Sequence, residues 1–194
     1  FKSEGREYFN ERAIATQQTG FVLIAQMRSW LPDAVGGILW FGVDDANTAV
    51  LTPMYASITE IPECYRRGNG SMTEFSWTAA FWIHNWVANM AYNRYEPMIR
   101  DIRPVQKELE DSYVDLVKNT DAKALELLKS SPAQATAYLT EVCGKVANET
   151  TARWKKLGEY LLVKYMEGNV KKEKDGKFEE NGYGQIVSPN FPGY

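Results

Sequence analysis

Hydrophobic positions follow two regimes along the chain. Up to about residue 57 they come in short β-branched and aromatic runs, and beyond residue 73 they recur at spacings of three and four. Residues 13–45 are the clearest stretch. The run over 19–30 mixes Phe21, Val22, Ile24, Met27 and Trp30 with few helix-favouring charges and predicts a strand. It stops at Leu31-Pro32-Asp33, where proline cannot donate to a ladder and Asp favours a turn. Gly36-Gly37 then release the chain into Ile38-Leu39-Trp40-Phe41-Gly42-Val43, a second strand with the character of burial. Residues 13–18 read as an extended lead-in with Gly20 as a bulge. Residues 48–57 are a further β-branched and apolar mixture, interrupted by Pro53, and residues 1–12 are polar with a turn at Gly5. Two strands do not make a stable sheet, so the hairpin is expected to belong to something larger.

A loop over 58–72, marked by Pro62 and Gly68-Asn69-Gly70, separates this half from a helical one. The first helix is predicted over 73–95, capped by Ser71 or Thr73 and apolar on nearly every face. His84, Asn85, Asn89 and Asn93 interrupt what a membrane span would need, about 20 mainly apolar residues. A second helical segment over 97–118 carries the stripe Ile99, Ile102, Val105, Leu109, Tyr113, Leu116; Pro97 and Pro104 both fall early in it, so the helix proper is expected to begin near Pro104 as its first turn. Thr120 or Asp121 then caps a short third helix ending near Lys129. Ser131-Pro132-Ala133-Gln134 is a full start signal for a last helix to about Met166, whose stripe is Leu139, Val142, Cys143, Val146, Trp154, Leu157, Leu161, Tyr165. Its outer face offers Glu141 with Lys145 and Glu149 with Arg153, and Gly168-Asn169 stop it. In the tail, Asp175-Gly176 signal a hairpin turn, and the closing run is expected to be extended and docked. The fold class is α+β, with strands in residues 8–57 followed by mainly helical residues 73–168. One domain is expected, strand-rich over 1–60, helical over 71–168 and with a tail over 169–194.

Composition narrows the function classes. With 194 residues, 44% hydrophobic content and a net charge of −3, the chain reads as globular. No face-forming cluster of Lys and Arg appears, which argues against a nucleic-acid partner. Cys64 and Cys143 lack CxxC neighbours and His84 is the single histidine, so neither a disulfide framework nor a zinc site is indicated, and no metal or cofactor is expected. No export signal is visible at the start, which reads as a cut through a larger polypeptide. GxSxG, zinc and phosphate-loop signatures are absent from the sequence.

Asp44-Asp45-Ala46-Asn47 lies at a strand end, where sites are built, yet the same tetrapeptide is good turn chemistry. Asn85, Asn89 and Asn93 line one stripe at i, i+4 and i+8. They are either amide donors at a polar pocket walled by Trp82 and Trp86, or satisfied partners of loop backbone, the second being the commoner case. His84 reads as satisfied or half-exposed and Cys143 as a packed thiol. Six Trp and eleven Tyr permit a non-catalytic peptide- or glycan-binding or assembly module as the alternative function.

Longer runs carry a resemblance. Asn10-Glu11-Arg12-Ala13-Ile14-Ala15-Thr16-Gln17-Gln18-Thr19-Gly20-Phe21, Ala25-Gln26-Met27-Arg28-Ser29-Trp30-Leu31-Pro32-Asp33 and Gly36-Gly37-Ile38-Leu39-Trp40-Phe41-Gly42-Val43-Asp44-Asp45-Ala46 resemble the dipeptidase A family of bacterial N-terminal-nucleophile cysteine peptidases. Phe81-Trp82-Ile83-His84-Asn85-Trp86 and Trp154-Lys155-Lys156-Leu157-Gly158-Glu159-Tyr160 resemble its C-terminal part. The resemblance implies a four-layer αββα sandwich and a nucleophilic cysteine at the mature N-terminus whose own α-amine is the base, which removes the need for a histidine. Phe1 is not that cysteine. The chain is therefore expected to be a C-terminal portion, inactive alone, of an enzyme that hydrolyses dipeptides through an acyl-enzyme. Its partners would be the dipeptide substrate and the N-terminal portion of the same polypeptide, with a second copy left open. The resemblance implies a bacterial source, with a periplasmic or secreted location slightly favoured over the cytoplasm. Arg12, Asp44 and Asp45 are the candidates for charge pairing with dipeptide termini or with site residues.

Overall fold

The computed structural model describes residues 1–9, 13 and 15–179. It is a mixed α and β fold. Its elements are β1 (Lys2–Ser3), β2 (Arg6–Glu7), β3 (Phe21–Met27), α1 (Asp33–Gly36), β4 (Gly37–Val43), β5 (Thr52–Tyr55), α2 (Ala80–Asn93), α3 (Tyr95–Ser130), α4 (Pro132–Tyr165), β6 (Glu173–Lys174) and β7 (Lys177–Phe178). Strands β3, β4 and β5 form an antiparallel sheet in that order.

The main hairpin forms where the hydrophobic runs place it. The ladder runs unbroken from Phe21 opposite Val43 to Met27 opposite Gly37, so Gly20 is not a bulge; its carbonyl simply accepts from the Asp44 N–H beyond the last rung. The expected extended lead-in ends in a turn over residues 16–19, where Thr19 N–H donates to the Thr16 carbonyl. Pro53 sits opposite Trp40 on β5, an edge strand, where a missing donor is tolerated. Glu4-Gly5 and Asp175-Gly176 both adopt left-handed φ in the turns of the two small hairpins, as residues of these types do.

The helical half departs from expectation at three places. Helix α2 begins at Ala80, without a side-chain cap, not at 73. Residues 71–78 are held as turns instead: Ser76 and Thr78 hydroxyls donate to Asn69 Oδ1, and the Trp82 indole N–H occupies the carbonyls of Ser71 and Glu74. Second, α3 is one helix of 36 residues, with Pro104 in its interior and no break at 119–121. Asp121 caps nothing; it accepts from the buried Arg28 guanidinium and from the Tyr55 hydroxyl. Third, the outer pairs differ: Lys145 meets Glu149, and Arg153 reaches across to Glu108 on α3. Helix α4 keeps its expected ends, with Ser131 Oγ accepting from Gln134 N–H and positive φ at Glu167 and Gly168 beyond the stop. The closing run of the tail lies outside the described residues.

The core has two parts, one around Val35, Ile38 and Leu139 under the sheet, the other around Trp154, Ile83 and Ile102 where α2, α3 and α4 meet. Trp40 on β4 packs against both. The α2–α4 approach depends on Gly158, since a Cβ there would lie 2.4 Å from the Trp86 ring. That ring is braced from its other side by Trp77, with centroids 5.3 Å apart. Gly158→Ala gains about 1 kcal/mol of helix propensity, but it overpacks a site that cannot give, at about 1–3 kcal/mol. The clash wins, and thermal melting of the variant is expected to show a lower Tm.

Strand β3 is different from the rest of the sheet. Opposite residues of an antiparallel pair share a face, so Phe21, Leu23, Met27 and Leu39 lie on one side, and all four are exposed, Phe21 at 63% and Met27 at 75%. Ile24 is exposed on the other side. Among the described residues the outer edge of β3 has no strand beside it, a long apolar edge of the kind that pairs with further chain.

Candidate functional site

The end of β4 gathers the polar groups. Asp44 and Asp45 are both buried, and Asp44 holds a left-handed backbone at φ 67, uncommon outside glycine though Asp tolerates it. The two carboxylates have different work. Asp45 Oδ2 accepts from the Thr48 N–H at 3.0 Å and the Thr48 hydroxyl at 2.9 Å, an Asx-type turn, while its Oδ1 accepts from the Tyr92 hydroxyl at 3.0 Å. Burial, and then the bond to Asp45, push the Tyr92 phenol up to about 12. Turn chemistry therefore accounts for Asp45.

Asp44 is less satisfied. Its Oδ1 accepts from Asn85 Nδ2 at 2.9 Å, and its Oδ2 is buried with no hydrogen-bond partner among the described residues. Burial raises its carboxyl above the usual Asp range; the bonds from Asn85 and the Asp45 N–H pull the other way, and the neighbouring Asp45 charge adds to the rise. The asparagine stripe orients this contact. Asn93 Nδ2 donates to the Asn89 carbonyl, Asn89 Nδ2 donates to both the carbonyl and Oδ1 of Asn85, and Asn85 is left with its amide nitrogen aimed at Asp44. The stripe does something other than either sequence reading: Asn89 and Asn93 bond the carbonyls of their own helix and not loop backbone, and Asn85 donates to the strand-end carboxylate rather than into a pocket walled by Trp82 and Trp86.

The loop after β4 is clamped from α3. Asn47 donates to the Tyr95 hydroxyl at 2.7 Å and its carbonyl accepts from Arg103 at 2.9 Å; Gln106 Nε2 donates to the Ala49 carbonyl at 2.7 Å. Beside it a groove of about 300 Å³ is lined by residues that include Val22, Asn47, Arg103 and Glu110. Tyr92, Arg103 and Gln106 were not singled out in the sequence. Tyr92 sits seven residues after Asn85, on the same helix face, the one periodic signal that could have found it. Arg12, the third sequence candidate, lies outside the described residues.

The other reactive side chains are inert here. Both cysteines are free and buried. Burial pushes the Cys143 thiol up to about 11, and its sulfur accepts from the Tyr55 N–H; burial raises Cys64 also. Neither is an activated thiolate. His84 is neither satisfied nor half-exposed: it is buried, stacked on Trp154 with ring centroids 4.9 Å apart, and its Nδ1 has no partner among the described residues. Burial lowers its pKa to about 3, so the ring stays neutral. The aromatic shelf that Trp154 provides accounts for the residue type. Among the described residues no three His, Cys, Asp or Glu side chains converge as a metal site would require, and no helix is long and apolar enough to cross a membrane.

What the β4 end can do chemically is narrow. A buried carboxylate with one bare oxygen can take a proton, or accept a charge-assisted hydrogen bond from an ammonium or guanidinium group.

Comparison with known proteins agrees with the sequence runs. The model of Peptidase family C69 matches residues 2–108, which include β3, β4, both aspartates and all of α2. A "Probable dipeptidase" of Latilactobacillus sakei is 29% identical over 143 residues, 72% of this chain. The match covers 28% of that relative's own length.

Proposed function

Since the chain belongs to peptidase family C69, we propose that it forms the C-terminal part of a cysteine dipeptidase whose N-terminal nucleophile lies outside these residues. The family match carries this reading. Three features of the chain support it: both thiols are buried with raised pKa, the one histidine is a neutral core residue, and β3 offers an apolar face and edge to further strands. In the proposed sandwich the three-stranded sheet is one part of an αββα arrangement, with α2 to α4 as an outer helical layer and further strands from the rest of the polypeptide continuing beyond β3.

The proposed chemistry balances without a metal or cofactor. The thiolate attacks the dipeptide carbonyl and forms a tetrahedral oxyanion, held by backbone or amide donors. The α-ammonium generated from the nucleophile's own amine protonates the leaving amine, the C–N bond breaks, and an acyl-enzyme remains. Water then attacks it, with the amine again as base, and releases the first amino acid. Asp44 takes the substrate's α-ammonium on its bare oxygen, Asp45 keeps the loop in shape, and Arg12 is the candidate partner for the substrate carboxylate.

The test is hydrolysis of a dipeptide by the complete polypeptide and by its N-terminal Cys→Ala variant. Turnover is expected only in the first, and the 194-residue chain alone is expected to be inactive. Normal turnover by the Cys→Ala variant would overturn the reading.

A further inference from the structure

A second groove, away from the β4 end, has the make-up of a ligand site. It runs between the loop before α2, the 3-10 turn Glu63–Tyr65 and the middle of α4, with a volume of about 310 Å³, near the lower end of small-molecule sites, roughly 300–1,000 Å³. Trp77 forms an aromatic wall and is 51% exposed. Its ring is not loose: Phe75 and Trp86 meet it edge-on at 4.6 and 5.3 Å between centroids.

Lys155 stands at the same wall. Its Nζ lies 5.2 Å from the Trp77 ring centroid, and no carboxylate pairs with it among the described residues. Asn148 lies about two turns earlier on α4; its Oδ1 accepts from the Cys64 N–H at 3.4 Å, and its amide nitrogen has no acceptor among the described residues. Glu63 supplies a carboxylate across the groove. One of its oxygens is held by Arg66 at 2.9 Å, and the other is left to accept. Thr78 and Thr151 complete the polar lining; Thr78 donates to Asn69 and Thr151 to the Ala147 carbonyl.

An aromatic wall, an unpaired ammonium with a free amide donor, and a carboxylate facing them match the three parts of an amino-acid zwitterion with an apolar side chain. We propose that this groove binds a free α-amino acid with an apolar side chain, its carboxylate on Lys155 and Asn148, its ammonium on Glu63 and its side chain on Trp77. The ligand class is that of the products of dipeptide hydrolysis, and to that extent the inference rests on the function proposed above. None of its residues takes part in the Asp44 cluster.

The test needs binding only. The 194-residue chain, labelled at its indole nitrogens, is titrated by NMR with phenylalanine, a phenylalanine-containing dipeptide, phenylalanine amide, which lacks the carboxylate, and N-acetylphenylalanine, which lacks the ammonium. Saturable movement of the Trp77 indole signal is expected with phenylalanine, and weaker binding with the dipeptide, whose ammonium and carboxylate sit on different residues. Loss of at least about tenfold in affinity is expected with the amide and in Lys155→Met, the size of a charge-assisted hydrogen bond. The N-acetyl compound should bind more weakly than phenylalanine. A dipeptide that binds more tightly than phenylalanine would overturn the proposal. No saturable shift up to the ligands' solubility, an amide that binds as well as the acid, or a Lys155→Met variant of unchanged affinity would overturn the proposal. Shifts confined to the Asn85 and Tyr92 region would place the ligand at Asp44 instead, overturning this inference while leaving the proposed function intact.

Discussion

Asp121→Ala is expected to destabilise the chain by about 3–5 kcal/mol, because it strands a buried cation. Arg28 leaves β3 at its C-terminal end, is 7% exposed, and spends its other donors on the carbonyls of Val35, at 2.6 Å, and Gly36, at 3.4 Å. Those bonds hold the turn that leads into β4. Its charge is neutralised by Asp121, 93 positions away on α3, and the same carboxylate receives the Tyr55 hydroxyl at 2.6 Å from the far side of the sheet. One carboxylate thus ties β3, β5 and α3 together. Without it the guanidinium has no charge partner in a place water does not reach, and the loss is a large part of a domain's usual margin of about 5–15 kcal/mol. Urea unfolding followed by circular dichroism measures this directly. The double variant Arg28→Met with Asp121→Leu should recover much of the loss, since replacing both members of a buried pair by apolar groups costs far less than removing one. A single Asp121→Ala variant as stable as the parent would show that the guanidinium finds another partner.

The second large effect runs in opposite directions for stability and for binding. Asp44→Asn should leave the fold as stable as before or more so, and should weaken binding of a dipeptide with a free α-ammonium on the order of 100-fold in the complete enzyme. Burial holds the Asp44 carboxyl above its unfolded pKa, so the folded state takes up its proton more readily than the unfolded one. The group therefore opposes folding at pH values above its folded pKa, and the opposition fades as pH falls through that value. Asparagine removes the charge, keeps an acceptor for Asn85 Nδ2, and tolerates the left-handed φ of 67. Binding has the same pH sense with the opposite consequence. An ammonium needs the ionised carboxylate, so affinity should drop as pH falls through the raised pKa, and the variant should lose that dependence. The check is a Tm comparison at neutral pH together with KM for a free dipeptide and for its N-acetyl derivative. Equal KM values for the free dipeptide in parent and variant would remove Asp44 from the site. A stability held back by one unsatisfied buried oxygen is the usual mark of a group kept for function.

Local signals in this chain were readable wherever a residue's partner lies within a few positions. Ser131 caps α4 by bonding Gln134, three residues on. Asp175-Gly176 turns a hairpin whose strands flank it, and Pro32-Asp33 ends β3 one short turn before β4 begins. The misreadings share the opposite condition. Ser71 and Thr73 have the chemistry of a cap, yet Asn69 and the Trp82 indole hold their segment as turns. Thr120 and Asp121 look equally like a helix start, and Asp121 belongs to Arg28 instead. His84 was read as satisfied because buried histidines usually are; stacking on Trp154, seventy residues away, overrides that expectation. At the candidate site, Asp44, Asp45 and Asn85 were each visible, but their meeting was not, nor was the arrival of Tyr92, Arg103 and Gln106 around the same loop.

By itself, then, the amino-acid order determined the class of the fold, the β3–β4 hairpin, the buried stripe of α4 and the family, because period, turn chemistry and long matching runs are properties of neighbouring residues. Only the tertiary structure decided which carboxylate is spent on structure and which keeps a bare oxygen. Asp44 and Asp45 are adjacent and chemically identical, and what separates them is that Thr48 and Tyr92 satisfy one while burial leaves half of the other unpaired. That difference is set by contacts between residues 41 and 47 positions apart, and desolvation at such contacts is a property of packing that no local pattern encodes.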